Sequence, residues 1–161
     1  MTGIASYVTS LSYTELGQPL QYQLDSDPNV YLTDTWDPQT GDLTRAQVTA
    51  GTSTVDDQNY SYDAAGNITS EADTPASGPA QVQCFSYDYL AQLQTAWSQS
   101  ASGCSAGPSQ TAEAKAAAPY WDQYSYDTQG NLTGVTQTPA TGSATTWLVM
   151  TSEFDGNDGR R

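Results

Sequence analysis

The chain has no histidine and only four Lys or Arg against eighteen Asp or Glu, a formal net charge of −14. Without histidine, no ordinary Ser-His-Asp or Cys-His arrangement can be assembled. Neither Cys84 nor Cys104 has a basic neighbour in sequence that would lower its pKa. Two cysteines without histidine cannot complete a zinc tetrahedron unless carboxylates help. The shortage of cations argues against nucleic acid, whose phosphates need a basic cluster, and against anionic membrane surfaces. Membrane insertion is not expected either, because no run of about 18 apolar residues is present. Met1-Thr2-Gly3-Ile4-Ala5 lacks the basic and apolar regions of a signal peptide, so any export signal is expected outside this segment.

Helix signals are also scarce. Only Gln110 to Ala118, with Ala112, Ala114, Ala116, Ala117 and Ala118, gathers good helix formers, and it is too short and unpatterned for more than a loop or a turn or two. Hydrophobic residues make up 37% of the chain, below the ordinary globular range, and Tyr (11) and Trp (4) outnumber Phe (2). The apolar surface is therefore carried by aromatics suited to strands, and the length of 161 residues fits one domain.

What the chain does have is a repeat. Tyr62-Asp63-Ala64-Ala65-Gly66-Asn67-Ile68-Thr69 returns as Tyr126-Asp127-Thr128-Gln129-Gly130-Asn131-Leu132-Thr133. Relaxing the pattern to an aromatic, Asp or Thr, a short turn and an aliphatic yields four further copies. They lie near 13–20 (Tyr13, Thr14, Gly17), 36–43 (Trp36, Asp37, Gly41, Leu43), 87–93 (Tyr87, Asp88, Ala91, Leu93) and 154–161 (Phe154, Asp155, Gly159). The Asp place falls at 14, 37, 63, 88, 127 and 155, giving intervals of 23, 26, 25, 39 and 28. The long interval holds a Ser-, Gly- and Ala-rich loop insertion, 98–119. Such periodicity predicts a repeat architecture, and the break inside the sixth copy implies a parent chain that continues.

Each copy has the chemistry of a tight β-hairpin. Asp37, Asp63, Asp88, Asp127 and Asp155 suit the opening of a turn, where a carboxylate accepts from N–H groups two residues on. Gly41, Gly66, Gly130 and Gly159 supply a positive φ, as in a type I turn closed by a bulge, with Asn67 and Asn131 following. The aromatic before Asp and the aliphatic after Gly should share one side of the ribbon, giving each hairpin one face to bury.

The pattern resembles the YD repeat of the RHS family: bacterial Rhs proteins, shell-forming components of insecticidal toxin complexes, and teneurin ectodomains. YSYDAAGNITS and YSYDTQGNLTG carry the resemblance most fully, and it extends from about Tyr13 to Arg161. Val82 to Trp97 looks like actinobacterial RHS proteins in particular. The resemblance implies an all-β fold of tandem antiparallel hairpins forming an open, curved, twisted sheet, a segment of an RHS β-shell. It implies neighbouring YD repeats as partners, an enclosed C-terminal toxin or effector, and an extracellular or cell-surface location. It carries over no active site: the family's self-cleaving region has a signature not found here, so neither enzymatic activity nor a cofactor is expected.

Cys84 precedes the fourth copy and Cys104 lies in the insertion. A disulfide would close a loop of about 20 residues, worth ~3 kcal/mol in the chain-entropy model, and suits an exported protein; two free thiols, or a metal pair aided by carboxylates, are the alternatives. Asp155-Gly156-Asn157-Asp158-Gly159 is one residue short of a calcium loop and lacks the later Glu, so it reads as a sixth hairpin turn. Asp25-Ser26-Asp27-Pro28-Asn29 reads as a solvated loop. Paired carboxylates could support glycoside hydrolysis, but most acids are taken up as turn openers. A second functional reading is an extracellular carbohydrate- or cell-surface-binding module using exposed aromatics, with Tyr120 and Trp121 as the ligand-stacking pair. Unpaired sheet edges predict self-association, opposed by the net charge.

Overall fold

A computed structural model describes residues 7–26, 29–100, 103–105 and 107–148. Within these, strands dominate because the segments between turns are rich in Thr, Tyr, Val and Gln that fit a pleated, half-exposed surface. The strands are β1 (Ser10–Tyr13), β2 (Pro19–Ser26), β3 (Asn29–Trp36), β4 (Leu43–Ala50), β5 (Ser53–Tyr62), β6 (Ile68–Asp73), β7 (Gln81–Tyr87), β8 (Leu93–Gln99), β9 (Trp121–Tyr126), β10 (Leu132–Gln137) and β11 (Thr145–Leu148). The single helix among the described residues, α1 (Gln110–Glu113), is one turn started by Ser109, whose Oγ accepts from the Ala112 N–H at 3.2 Å.

The chain is all-β. Its eleven described strands form one open sheet in strict sequence order, each antiparallel to the next. The order follows from the short connections, since consecutive strands joined by a tight turn pair directly. Five motif turns lie along one end of the sheet, and the connections between hairpins lie along the other. The sixth motif, with Asp155 and Gly159, lies outside the described residues, as does the centre of the Asp25-to-Asn29 loop.

In every described hairpin the motif aromatic stands opposite the residue that opens the return strand. The pairs are Tyr13 with Pro19, Trp36 with Leu43, Tyr62 with Ile68, Tyr87 with Leu93 and Tyr126 with Leu132. The register shifts beside each of these pairs, so a bulge accompanies every motif turn. Opposite residues share a face. Burial of that face, however, is partial: among the described residues the sheet is one layer deep over most of its extent, and the motif tyrosines stay partly exposed.

Among the described residues a true core forms at one place. Val82, Cys84, Ala96 and Trp97 are the buried hydrophobics, with Ala72, Cys104 and Trp121 packed beside the Val82, Cys84 and Trp97 cluster. Cys84 stands opposite Trp97, and Trp97 opposite Trp121, so these three share a face. The insertion between β8 and β9 covers this region and is anchored to it, which is why burial is concentrated there. Cys84 and Cys104 are joined by a disulfide, with Cα atoms 5.5 Å apart.

Candidate functional site

The motif turns repeat one hydrogen-bond pattern. Asp63 Oδ1 accepts from the N–H groups of Ala65 and Asn67, both at 2.9 Å, and Oδ2 accepts from the Asn67 side-chain amide at 2.9 Å. Asp127 does the same with Gln129 and Asn131 at 2.8 to 2.9 Å. Asp88 accepts from Leu90 and Gln92, and Asp37 from Gln39 and Thr40. These donors favour the charged carboxylate. Asp63 and Asp127 are held below the usual carboxylate value by the Asn67 and Asn131 side chains first, and Asp37 by the Gln39 and Thr40 N–H groups.

The residue that closes the turn must adopt a positive φ. Gly66 and Gly130 sit at +85° and +86°. In the fourth copy Ala91 takes the same place at φ 59°, the one described non-glycine in this region, where its Cβ crowds the backbone. Ala91 keeps the turn bond, its N–H donating to the Asp88 carbonyl at 3.1 Å.

The aromatics do more than fill space. Trp36 Nε1 donates to the Pro19 carbonyl at 2.7 Å, and the hydroxyls of Tyr62, Tyr87 and Tyr126 donate to the carbonyls of Leu43, Ile68 and Leu93 at 2.8 to 2.9 Å. Each acceptor is the first residue of the preceding copy's return strand. Pairing between hairpins begins only two residues later, at Gln21, Arg45, Ser70 and Thr95. The aromatic tip therefore satisfies a carbonyl just beyond the end of the ladder and stitches each hairpin to its predecessor. Sequence reasoning took the aromatics for packing residues. The signal that could have found the bond is the choice of Tyr and Trp over Phe, since both carry a donor at the tip.

Two further links were missed. Gln18 Nε2 donates to the Gly41 carbonyl at 3.0 Å, reaching from one turn to the next. Gln92 likewise approaches the following turn, its Nε2 3.0 Å from where a Cβ on Gly130 would stand. The connections carry an echo of their own, Thr74-Pro75-Ala76-Ser77-Gly78 and Thr138-Pro139-Ala140-Thr141-Gly142. Both end on a glycine of positive φ, +111° and +103°, with the proline ring 3.9 Å from where a Cβ on that glycine would stand. Thr74 and Thr138 donate their N–H groups to the Asp57 and Trp121 carbonyls.

The insertion holds the most buried carboxyl group among the described residues. Besides the disulfide, it is held by Gln110 Nε2, which donates to the carbonyls of Pro139 and Gly142, both at 2.9 Å, and by the Ala118 N–H, which donates to Gln81 Oε1. This anchoring leaves Glu113 1% exposed, and neither carboxylate oxygen has a hydrogen-bond partner. Burial raises its pKa, and Asp122 adds to the rise. Asp122 is raised by burial against a hydrogen bond from Gln137.

Glu113 and Asp122 line a pocket of about 310 Å³ with Tyr120, Trp121, Pro119 and Pro139. Tyr120 donates its hydroxyl to Gln83 Oε1 at 3.0 Å, and burial pushes its pKa up to about 12. The Trp121 indole N–H is buried without a partner. Elsewhere, Arg45 and Asp57 form the one ion pair among the described residues, with Nε donating to Oδ1 at 2.7 Å. No group of three or more Cys, Asp or Glu among the described residues is arranged to hold a metal ion.

No family model matches the chain, and no curated protein matches it. Among solved structures, it superposes on a chain of the crystal structure described as TcdB2-TccC3-Cdc42 with a TM-score of 0.67 at 24% identity. The match covers 91% of this chain and 8% of that one. The likeness is one of fold.

Proposed function

We propose that this chain is wall material: a non-enzymatic segment of a secreted or surface RHS-type protein that helps build a β-shell around a C-terminal toxin or effector. The observation that carries the reading is the stitch. Four successive aromatic tips bond to the same position of the preceding copy, so the sheet extends by one increment that any number of copies can repeat. The RHS-like fold and the motif resemblance point the same way. Electron cryomicroscopy of the parent polypeptide tests it, together with protease protection of whatever follows the repeats. A hollow shell with this segment in its wall, and a following polypeptide that resists cutting, are the expected results. A sheet solvated on both faces, with the following polypeptide cut equally fast whether or not the repeats are attached, would overturn the proposal.

The carbohydrate-binding alternative stands second. It requires Tyr120 and Trp121 to offer ring faces as a pair, yet Tyr120 is partly buried and commits its hydroxyl to Gln83.

A further inference from the structure

We propose that the pocket bordered by the insertion binds an organic cation, a primary ammonium or guanidinium group, with Glu113 as counter-ion and Trp121 as an apolar wall. A carboxylate removed from water is strongly disfavoured unless it is paired. Glu113 is 1% exposed, both of its oxygens are buried without partners, and the residue borders a pocket of about 310 Å³. No described cation serves it: Arg45 is paired with Asp57, and Lys115 is exposed and makes no ion pair.

The position is built by the fold. The disulfide, the Gln110 bonds to Pro139 and Gly142, and the Ser109 cap together hold the one-turn helix that presents Glu113. A metal ion fits poorly, because no third carboxylate or thiolate joins Glu113 and Asp122. A neutral ligand would leave the buried carboxyl protonated, whereas a cation would favour its ionised form. An ammonium or guanidinium would donate to the Glu113 carboxylate, sit within the field of Asp122, and lay its carbon stem or plane on the Trp121 ring. The volume suits one side chain or a small amine and is at the low end for ligand pockets. The shell reading neither requires nor supplies this site.

Titration of the oxidised protein, followed by tryptophan fluorescence and calorimetry, provides the test. One arm uses n-butylammonium and n-butylguanidinium, and the other uses capped Gly-Lys-Gly and Gly-Arg-Gly tripeptides, so that a free amine and a polypeptide side chain are told apart. Saturable binding in either arm is expected, weakened about tenfold or more by Glu113→Gln and unchanged by the remote Tyr62→Phe. Asp122→Asn, expected to weaken binding less, serves as the second variant should Glu113→Gln fail to fold. Failure of all four probes to saturate would overturn the proposal. So would binding of equal strength in both carboxyl variants, or a pocket filled equally well by neutral N-acetylglucosamine.

Discussion

The Tyr87 hydroxyl donates to the main-chain carbonyl of Ile68 across 2.9 Å, joining the fourth hairpin to the third where the ladder between β6 and β7 has already ended at Ser70 and Cys84. Tyr87→Phe keeps the ring and leaves that carbonyl unpaired. A loss of about 1 kcal/mol is expected, read as a lower urea midpoint with an unchanged slope. Tyr62→Phe and Tyr126→Phe should behave alike. A midpoint unmoved in all three would mean that water replaces the stitch at no cost.

Ala91 and Gly66 occupy the same turn position with opposite fitness for it. Ala91→Gly removes a Cβ from a backbone at φ 59° and should stabilise by about 0.5 to 1 kcal/mol after the added freedom of the unfolded chain is subtracted. Gly66→Ala meets no atom within 4 Å, so its expected loss of about 1 kcal/mol is purely a backbone effect. Thermal melts of the two variants should move in opposite directions.

The carboxyl groups divide into two sets with opposite pH dependence. Asp34, Asp73, Glu113 and Asp122 are raised, chiefly by burial. They resist ionising in the fold, so stability declines as pH rises from their ordinary values of 3.8 and 4.5 through the raised ones. Asp37, Asp57, Asp63 and Asp127 are lowered, so the stability they contribute is present above 3.8 and lost as pH falls through the lowered values. Repulsion within a chain of net charge −14 also grows with pH. The urea midpoint should therefore peak at about pH 4.5 and fall on either side, and Glu113→Gln should flatten the alkaline limb. A midpoint that climbs steadily from pH 4.5 to 8 would contradict the assignment.

Reducing the Cys84–Cys104 bond frees a loop of 20 residues' separation, for an expected loss of about 3 kcal/mol. Proteases should then cut first between Gly103 and Pro119, while the oxidised protein resists there. Equal cutting in both states would mean that the Gln110 and Ala118 bonds suffice to hold the insertion.

Outer strands β1 and β11 each lack a neighbour on one side among the described residues, and Leu11 and Tyr13 on β1 are exposed. Sedimentation velocity should show association that increases with protein concentration. Added salt should promote it, since screening weakens repulsion between acidic chains. A monomer at every concentration in about 0.5 M salt, where the Debye length is only a few ångströms, would refute it.

The strands and their order were legible in the sequence because turn chemistry is local: Asp63, Gly66 and Asn67 set their turn within five residues. The stitch was not, because it joins positions 17 to 33 residues apart and an aromatic reads equally well as packing. Glu113 gave no signal, since a helix of one turn has no periodicity and its burial depends on Cys104, Gln110 and Pro139 coming together in space. The Thr-Pro-Ala echo was legible and passed over, being weaker than the motif that precedes it.

The stitch from Trp36 to Pro19 spans 17 residues of chain and that from Tyr126 to Leu93 spans 33, yet both meet the same position of the preceding copy. The sheet thus resembles a page with one justified margin and one ragged one. Along the justified side every hairpin is aligned to the last by its own aromatic, so additions to the ragged side cannot propagate as errors of alignment. New loops, with whatever chemistry they bring, can be grafted there one at a time without redrawing the rest.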